Sequence, residues 1–235
     1  MAVPQIHRTC NSVLLYFPAM KTKKKIAIEH VLFDWDGTLI DSFEADANAY
    51  AFMFDALGMS WSIEELKRNY SPNWHRVYRA AGIPRSKWQE ADRLWRLFAQ
   101  KQLPKLQPGA RSVLQTLDRR FTLGLVTGGS RWRVRKQLRQ HNVSAMFLAK
   151  VCCEDAPKRK PHPAPLRMAL EKMRALPQSS VYIGDAPEDI EMAHRAGVRA
   201  IGVLGGSPVP ERLRAASADA LIQTIRELPA LLKNF

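Results

Sequence analysis

Six short apolar runs, separated by amphipathic segments, restrict the fold of this chain more than any other feature. They lie at residues 30–34 (HVLFD), 121–127 (FTLGLVT), 148–152 (LAKVC), 181–184 (VYIG), 200–203 (AIGV) and, more weakly, 220–222 (ALI). Strands of this kind are expected when helices cover both faces of a parallel sheet. The intervening segments have helical spacing. Residues 109–117 put Val113, Leu114 and Leu117 on one face. Residues 165–176 open on Pro165 and turn Leu166, Ala169, Leu170 and Met173 inward. Residues 188–196 stop before Gly197, a natural helix end. The alternation predicts a three-layer α/β/α, Rossmann-like domain with a parallel sheet.

One interval breaks the rhythm. Between Ser42 and Leu106 there is no strand pattern, but helices are expected over 45–57, 63–69 and 86–102. The second opens on Ser62 with Glu65 three residues on, a reciprocal capping pattern. The third spaces Trp88, Ala91, Leu94, Trp95 and Phe98 along one face. Residues 42–105 are therefore expected to form an inserted α-helical cap domain, and residues 26–41 with 106–235 the α/β core. Trp61, Trp74, Trp88 and Trp95 are read mainly as the core of the insertion, with one or two able to face a ligand. Residues 1–25 are expected to be a disordered tail, and Met20 is an alternative start to Met1. The apolar stretch 13–17 is short for a signal sequence and ends at Pro18.

Four motifs lie where strands end. In Asp34-Trp35-Asp36-Gly37-Thr38 two aspartates two residues apart leave a strand on the same side, and Gly37 permits a tight turn. Two close carboxylates repel unless a cation or proton lies between them, and a hard divalent ion meets that need. Thr127-Gly128-Gly129-Ser130 joins a strand to a helix, a turn suited to phosphate oxygens. Lys158-Arg159-Lys160-Pro161 offers a fixed positive charge. Gly184-Asp185-Ala186-Pro187-Glu188-Asp189 again brings acids to a strand end, where Asp185 is read as a helix cap, as a metal ligand beside Asp189, or as both.

In this order the four motifs resemble the haloacid dehalogenase superfamily, over nearly the whole chain from Ile26. The long insertion after the first motif resembles the helical cap of its phosphoglycolate phosphatase and β-phosphoglucomutase branch. The resemblance implies a phosphatase using Mg2+, with Asp34 as nucleophile and Asp36 as general acid and base. Asp34, Asp185 and the Asp36 main-chain carbonyl would hold the metal, with Asp189 orienting a water on it. Gly37, Thr38, Thr127, Gly128 and Lys160 would hold phosphate oxygens, Thr127 and Lys160 as part of the catalytic set. Relatives acting as dehalogenases lack a counterpart of Asp36. A phosphomutase shares all four motifs and remains the alternative.

Charge leaves partners open. The net charge of +14 attracts anions of every class. Arg131, Arg133, Arg135, Lys136 and Arg139 crowd one helical stretch. A catalytically silent nucleic-acid-binding protein is thus a remote alternative, although a solvated helix side is the simpler reading. We expect a small phosphorylated substrate, no specific nucleic acid, no membrane and a monomer or weak homodimer. Three cysteines in no paired spacing, two of them adjacent, suggest a reducing cytoplasm.

Overall fold

The computed structural model describes residues 26–235, so the expectations for the N-terminal tail and its start lie outside the described residues. Six parallel strands form one sheet: β1 (His30–Phe33), β2 (Thr122–Val126), β3 (Phe147–Val151), β4 (Ser180–Gly184), β5 (Arg199–Val203) and β6 (Ala220–Ile222). Their order is β3-β2-β1-β4-β5-β6, with β1 in the middle. The chain proceeds outward from β1 on one side and, from β4, outward on the other. The direction of winding therefore reverses between β1 and β4, where open α/β sheets leave a crevice at the strand ends.

Strand alternation feeds two cores. Val31, Phe33, Leu125 and Ile183 face α5 (Ala110–Asp118) and α6 (Arg131–Gln140). Leu32, Val126 and Tyr182 face α7 (Ala164–Met173) and α8 (Pro187–Arg195). Both faces are covered, which is why these strands read as unbroken apolar runs. The helix expected to reach residue 176 stops at Met173, because Arg174 turns left-handed (φ 53) and Leu176 is exposed. Among the described residues, no helix is long and apolar enough to cross a membrane.

Between β1 and α5 run α1 (Phe43–Ala56), α2 (Ile63–Arg68), α3 (Trp74–Ala80) and α4 (Trp88–Ala99). The reciprocal cap of α2 is formed, Glu65 N–H donating to Ser62 Oγ and Ser62 N–H to the Glu65 carboxylate. These helices share a third apolar cluster containing Met53, Phe54, Leu66, Val77 and Tyr78, against which all four tryptophans pack. Two further short helices, α9 (Pro210–Arg214) and α10 (Leu228–Leu231), lie near the C-terminus.

Candidate active site

β1 delivers the first acid. Asp34 continues the pairing beyond the strand, its N–H donating to the Ile183 carbonyl at 2.8 Å. The next residue, Trp35, is fully buried and donates its indole N–H to Gln137 at 2.8 Å. That anchor leaves Asp34 and Asp36 on the other side of the loop, toward a common cleft that both line. Gly37 then adopts φ 75, and a Cβ there would lie 2.2 Å from Asp185 Oδ2. Only glycine allows the loop this close to the end of β4. Thr38, also buried, donates its hydroxyl to Asp185 Oδ1 at 2.8 Å.

The motifs of the first and last strands meet here. Carboxylate oxygens of Asp34, Asp185 and Asp189 lie within 4.8 Å of one another, and all three residues are buried. Lys160 enters between them. Its ammonium donates to Asp34 Oδ1 and to Asp189 Oδ1, each at 2.7 Å, and to the Tyr182 hydroxyl at 2.9 Å. Tyr182 in turn donates to the Val126 carbonyl at 2.7 Å. Burial works against the charge on Lys160, but Asp189 and Asp34 outweigh it and hold the ammonium above its ordinary pKa. Burial raises Asp34 to about 7, against the pull of Lys160 and with help from Asp189 and Asp36. Burial, then Asp34 and Asp189, push Asp185 well above the carboxylate range.

This cluster fits a divalent cation. With all three carboxylates ionised, as metal binding requires, the one ammonium would leave two negative charges without a counter-ion. Asp185 Oδ2 is buried with no hydrogen-bond partner. Both oxygens of Asp189 are engaged, Oδ1 by Lys160 and Oδ2 by the Ala186 N–H at 3.1 Å. Asp34 and Asp185 are therefore the better direct ligands, with hard oxygen donors suited to magnesium-like ions. The capping alternative for Asp185 does not hold: Ala186 occupies the position that opens α8, and Asp189 bonds back to it.

The remaining sequence-derived candidates fall around the same cleft. Thr127 is buried and its hydroxyl accepts the Gly129 N–H at 2.9 Å. Gly128 lies so close to the Pro72 carbonyl that a Cβ would come within 2.7 Å of it. The helical segment thus rests on the Thr127 loop. Of the two lysines before Pro161, Lys160 is buried at the acids while Lys158 is exposed. His162 is exposed and its ring accepts the Ala164 N–H, a local role at the start of α7. His75 stacks on Trp88 with centroids 4.5 Å apart.

Arg133, one of the five basic residues crowded into 131–139, is 8% exposed and grips both oxygens of Asp36 at 2.7 and 2.6 Å. It also lies 3.7 Å from Asp46 of α1. Burial disfavours its charge, but Asp36 and Asp46 more than restore it, so it stays a cation at any accessible pH. The signal was its place beside Val134 and one turn before Gln137 and Leu138, all buried. Arg131 is likewise tied to Asp155, so the stripe is smaller than its sequence suggested. Tyr182 was read only as a strand residue; nothing local to its sequence marks it as a ligand of Lys160.

Aromatic side chains wall the cleft above Asp34: Tyr50 of α1, Tyr70, Trp74 of α3 and Trp95 of α4. Arg159, next to Lys160, stacks on Trp74 at 3.8 Å from its centroid. Glu188, in the first turn of α8, accepts from Ser71 Oγ at 2.8 Å and from Arg76 at 3.3 Å. Both contacts join the helical segment to the acidic end of the sheet.

Comparison with known proteins places this geometry. The chain is similar to pyrophosphatase PpaX of Oceanobacillus iheyensis, 27% identical over 210 residues, 86% of this chain and 96% of that protein. It is also similar to phosphoglycolate phosphatase of Vibrio parahaemolyticus, 29% identical over 215 residues, covering 86% and 94%. Among solved structures, CbbY of Rhodobacter sphaeroides in complex with phosphate superposes with a TM-score of 0.71 at 26% identity, covering 86% of this chain and 96% of that one. The family model for haloacid dehalogenase-like hydrolases matches residues 31–203, from β1 through β5 and including all four motifs. The chain belongs to the haloacid dehalogenase-like hydrolase family.

Proposed function

We propose that this protein is a magnesium-dependent phosphatase acting on a small phosphorylated molecule, with Asp34 as nucleophile. The observation that carries the reading is the convergence of Asp34, Asp185 and Asp189 on one point, with Lys160 bridging two of them. The phosphatase and pyrophosphatase names of the relatives, and the phosphate bound to CbbY, support the same chemistry.

Asp34, Asp185 and the Asp36 main-chain carbonyl would hold magnesium. Bound there, the ion would offset the charge of the phosphate and of Asp34, so that one anion can approach another. An Asp34 carboxylate oxygen forms the new bond to phosphorus as the bond to the leaving oxygen breaks. Asp36 gives its proton to that leaving oxygen, then takes one from the water that attacks phosphorus and frees Asp34. Lys160 stays beside Asp34 and, with Thr127, Gly128 and the Gly37–Thr38 turn, meets the phosphoryl oxygens. Asp189 keeps Lys160 aimed and charged. Residues 42–105 act as a cap: their aromatic wall shields the reacting atoms from bulk water and contacts the leaving group. The same reading takes the protein as a cytoplasmic monomer or weak homodimer.

The test is a phosphate-release screen over phosphorylated metabolites, with and without magnesium, using Asp34→Asn as control. We expect release that needs magnesium and no added bisphosphate, which separates a phosphatase from a phosphomutase. The variant should lose at least about 1,000-fold in kcat while keeping its fold by circular dichroism. Equal turnover in the two proteins would eliminate Asp34 as nucleophile.

A further inference from the structure

The proposed hydrolysis requires Asp36 to exchange protons, yet both of its oxygens are held by Arg133, at 2.7 and 2.6 Å. Each oxygen keeps a second lone pair, but the two-pronged donor spans the side of the carboxylate on which a carboxylic acid ordinarily carries its proton. For Asp36 to carry its proton there, the pair has to part during the reaction. Arg133 is almost wholly buried, so it cannot simply turn to water, and a buried guanidinium without an acceptor is strongly disfavoured.

A second carboxylate lies beside it. Asp46 lies 3.7 Å from Nη1, the prong already turned its way. Moving fully onto Asp46 would serve that prong but not the opposite edge of the guanidinium. On that edge Nε is buried without a hydrogen-bond partner, and Nη2 would lose Asp36. Nε and Nη2 together form the edge that matches two oxygens of a carboxylate or phosphate. The ring of Trp95 lies over the guanidinium, its centroid 5.6 Å away, and lines the same cleft.

We propose that Arg133 determines specificity by taking up a second anionic group on the leaving side of the substrate, and that this exchange releases Asp36. The proposal rests on the phosphatase reading and narrows it. The substrate carries a phosphoryl group and, a few bonds away, a carboxylate or second phosphate. Asp46, Asp92 and Arg96 also line the cleft, so its walls carry both signs of charge, and the preference is assigned to Arg133 because it is the guanidinium in contact with Asp36.

The test uses substrates matched in size and differing in charge. 2-Phosphoglycolate is compared with 2-hydroxyethyl phosphate in steady-state assays of the full chain and its Arg133→Lys and Arg133→Met variants. The same two compounds are titrated calorimetrically into Asp34→Asn protein, with and without Arg133→Met, so that binding is read even without turnover. In the parent protein we expect kcat/KM to favour phosphoglycolate by about 30-fold or more, the loss typical when a buried charge pair is truncated. Arg133→Met should bring that ratio close to one, and Arg133→Lys should restore part of it. Binding in the Asp34→Asn background should change in the same sense. A ratio near one in the parent, or a ratio that Arg133→Met leaves unchanged while both rates fall, would overturn the proposal, since Arg133 would then only position Asp36. Absence of turnover on every compound would refute the phosphatase reading, while the titrations would still decide whether Arg133 selects the second anion.

Discussion

Asp34 shows what burial does to a group that must act as an anion. Without a metal its pKa rises from 3.8 to about 7, and that of Asp46 rises equally far, burial being the leading cause in both. Groups raised in the folded state favour folding while protonated. Their contribution is complete below about pH 4 and is lost as pH rises through about 7. A metal needs the deprotonated form, so protons and magnesium compete for the same oxygens. We therefore expect magnesium affinity, read by calorimetric titration, to fall by about tenfold or more per pH unit below pH 7, since Asp34 and Asp185 must both lose a proton to bind it. Thermal melts should show the complementary pattern, with magnesium raising the melting temperature far more at pH 8 than at pH 5.5. A pH-independent affinity would show that Asp34 is not a ligand.

At the scale of elements, the site exists because three strand ends and one turn come within contact of each other. The turn after β1 approaches the end of β4 at a distance only a glycine tolerates, since a methyl group on Gly37 would overlap Asp185 Oδ2. Its φ of 75 adds conformational strain for any other residue. Gly37→Ala should displace Asp185 from Asp34 at a stability cost of about 1–3 kcal/mol. Chemical denaturation should show that modest loss, and phosphate release a much larger one, about 100-fold or more, because misplacement by one ångström is that costly. Near-parental activity would mean the turn can relax without moving the acids. The same scale explains what periodicity missed. Helix α3 has seven residues after a Ser71-Pro72-Asn73 turn, too few to repeat an apolar face, yet it brings Trp74 to the cleft and Arg76 to Glu188.

For the molecule as a whole, the net charge of +14 stands against a site whose nearest side chains are acidic. Long-range attraction of phosphorylated substrates and the local field of five aspartates (Asp34, Asp36, Asp46, Asp185 and Asp189) with Lys160 and Arg133 among them thus act at different ranges. The long-range part is screened by salt and the buried part is not. We expect kcat/KM to fall about threefold between 50 and 500 mM salt while kcat holds nearly constant, measured at saturating magnesium. A fall confined to kcat would place the salt effect within the site.

Sequence alone determined the sheet, its helical insertion and the acids at the strand ends. Each of these follows from a local rule: apolar runs for buried strands, helical spacing for the insertion, glycine beside aspartate for a turn. It also singled out Asp34, Asp185 and Lys160, because one strong motif and three weaker ones become specific when they follow in one order. Tertiary structure alone decided which charges face each other. Arg133 and Asp36 are 97 residues apart and Lys160 and Tyr182 22 apart, and no periodicity records such pairs. The hydroxyl of Thr38 donates a hydrogen bond to Asp185, 147 residues away. The physical reason is range: backbone preference and burial are set by near neighbours in the chain, whereas the partner of a buried charge is fixed only when distant segments pack.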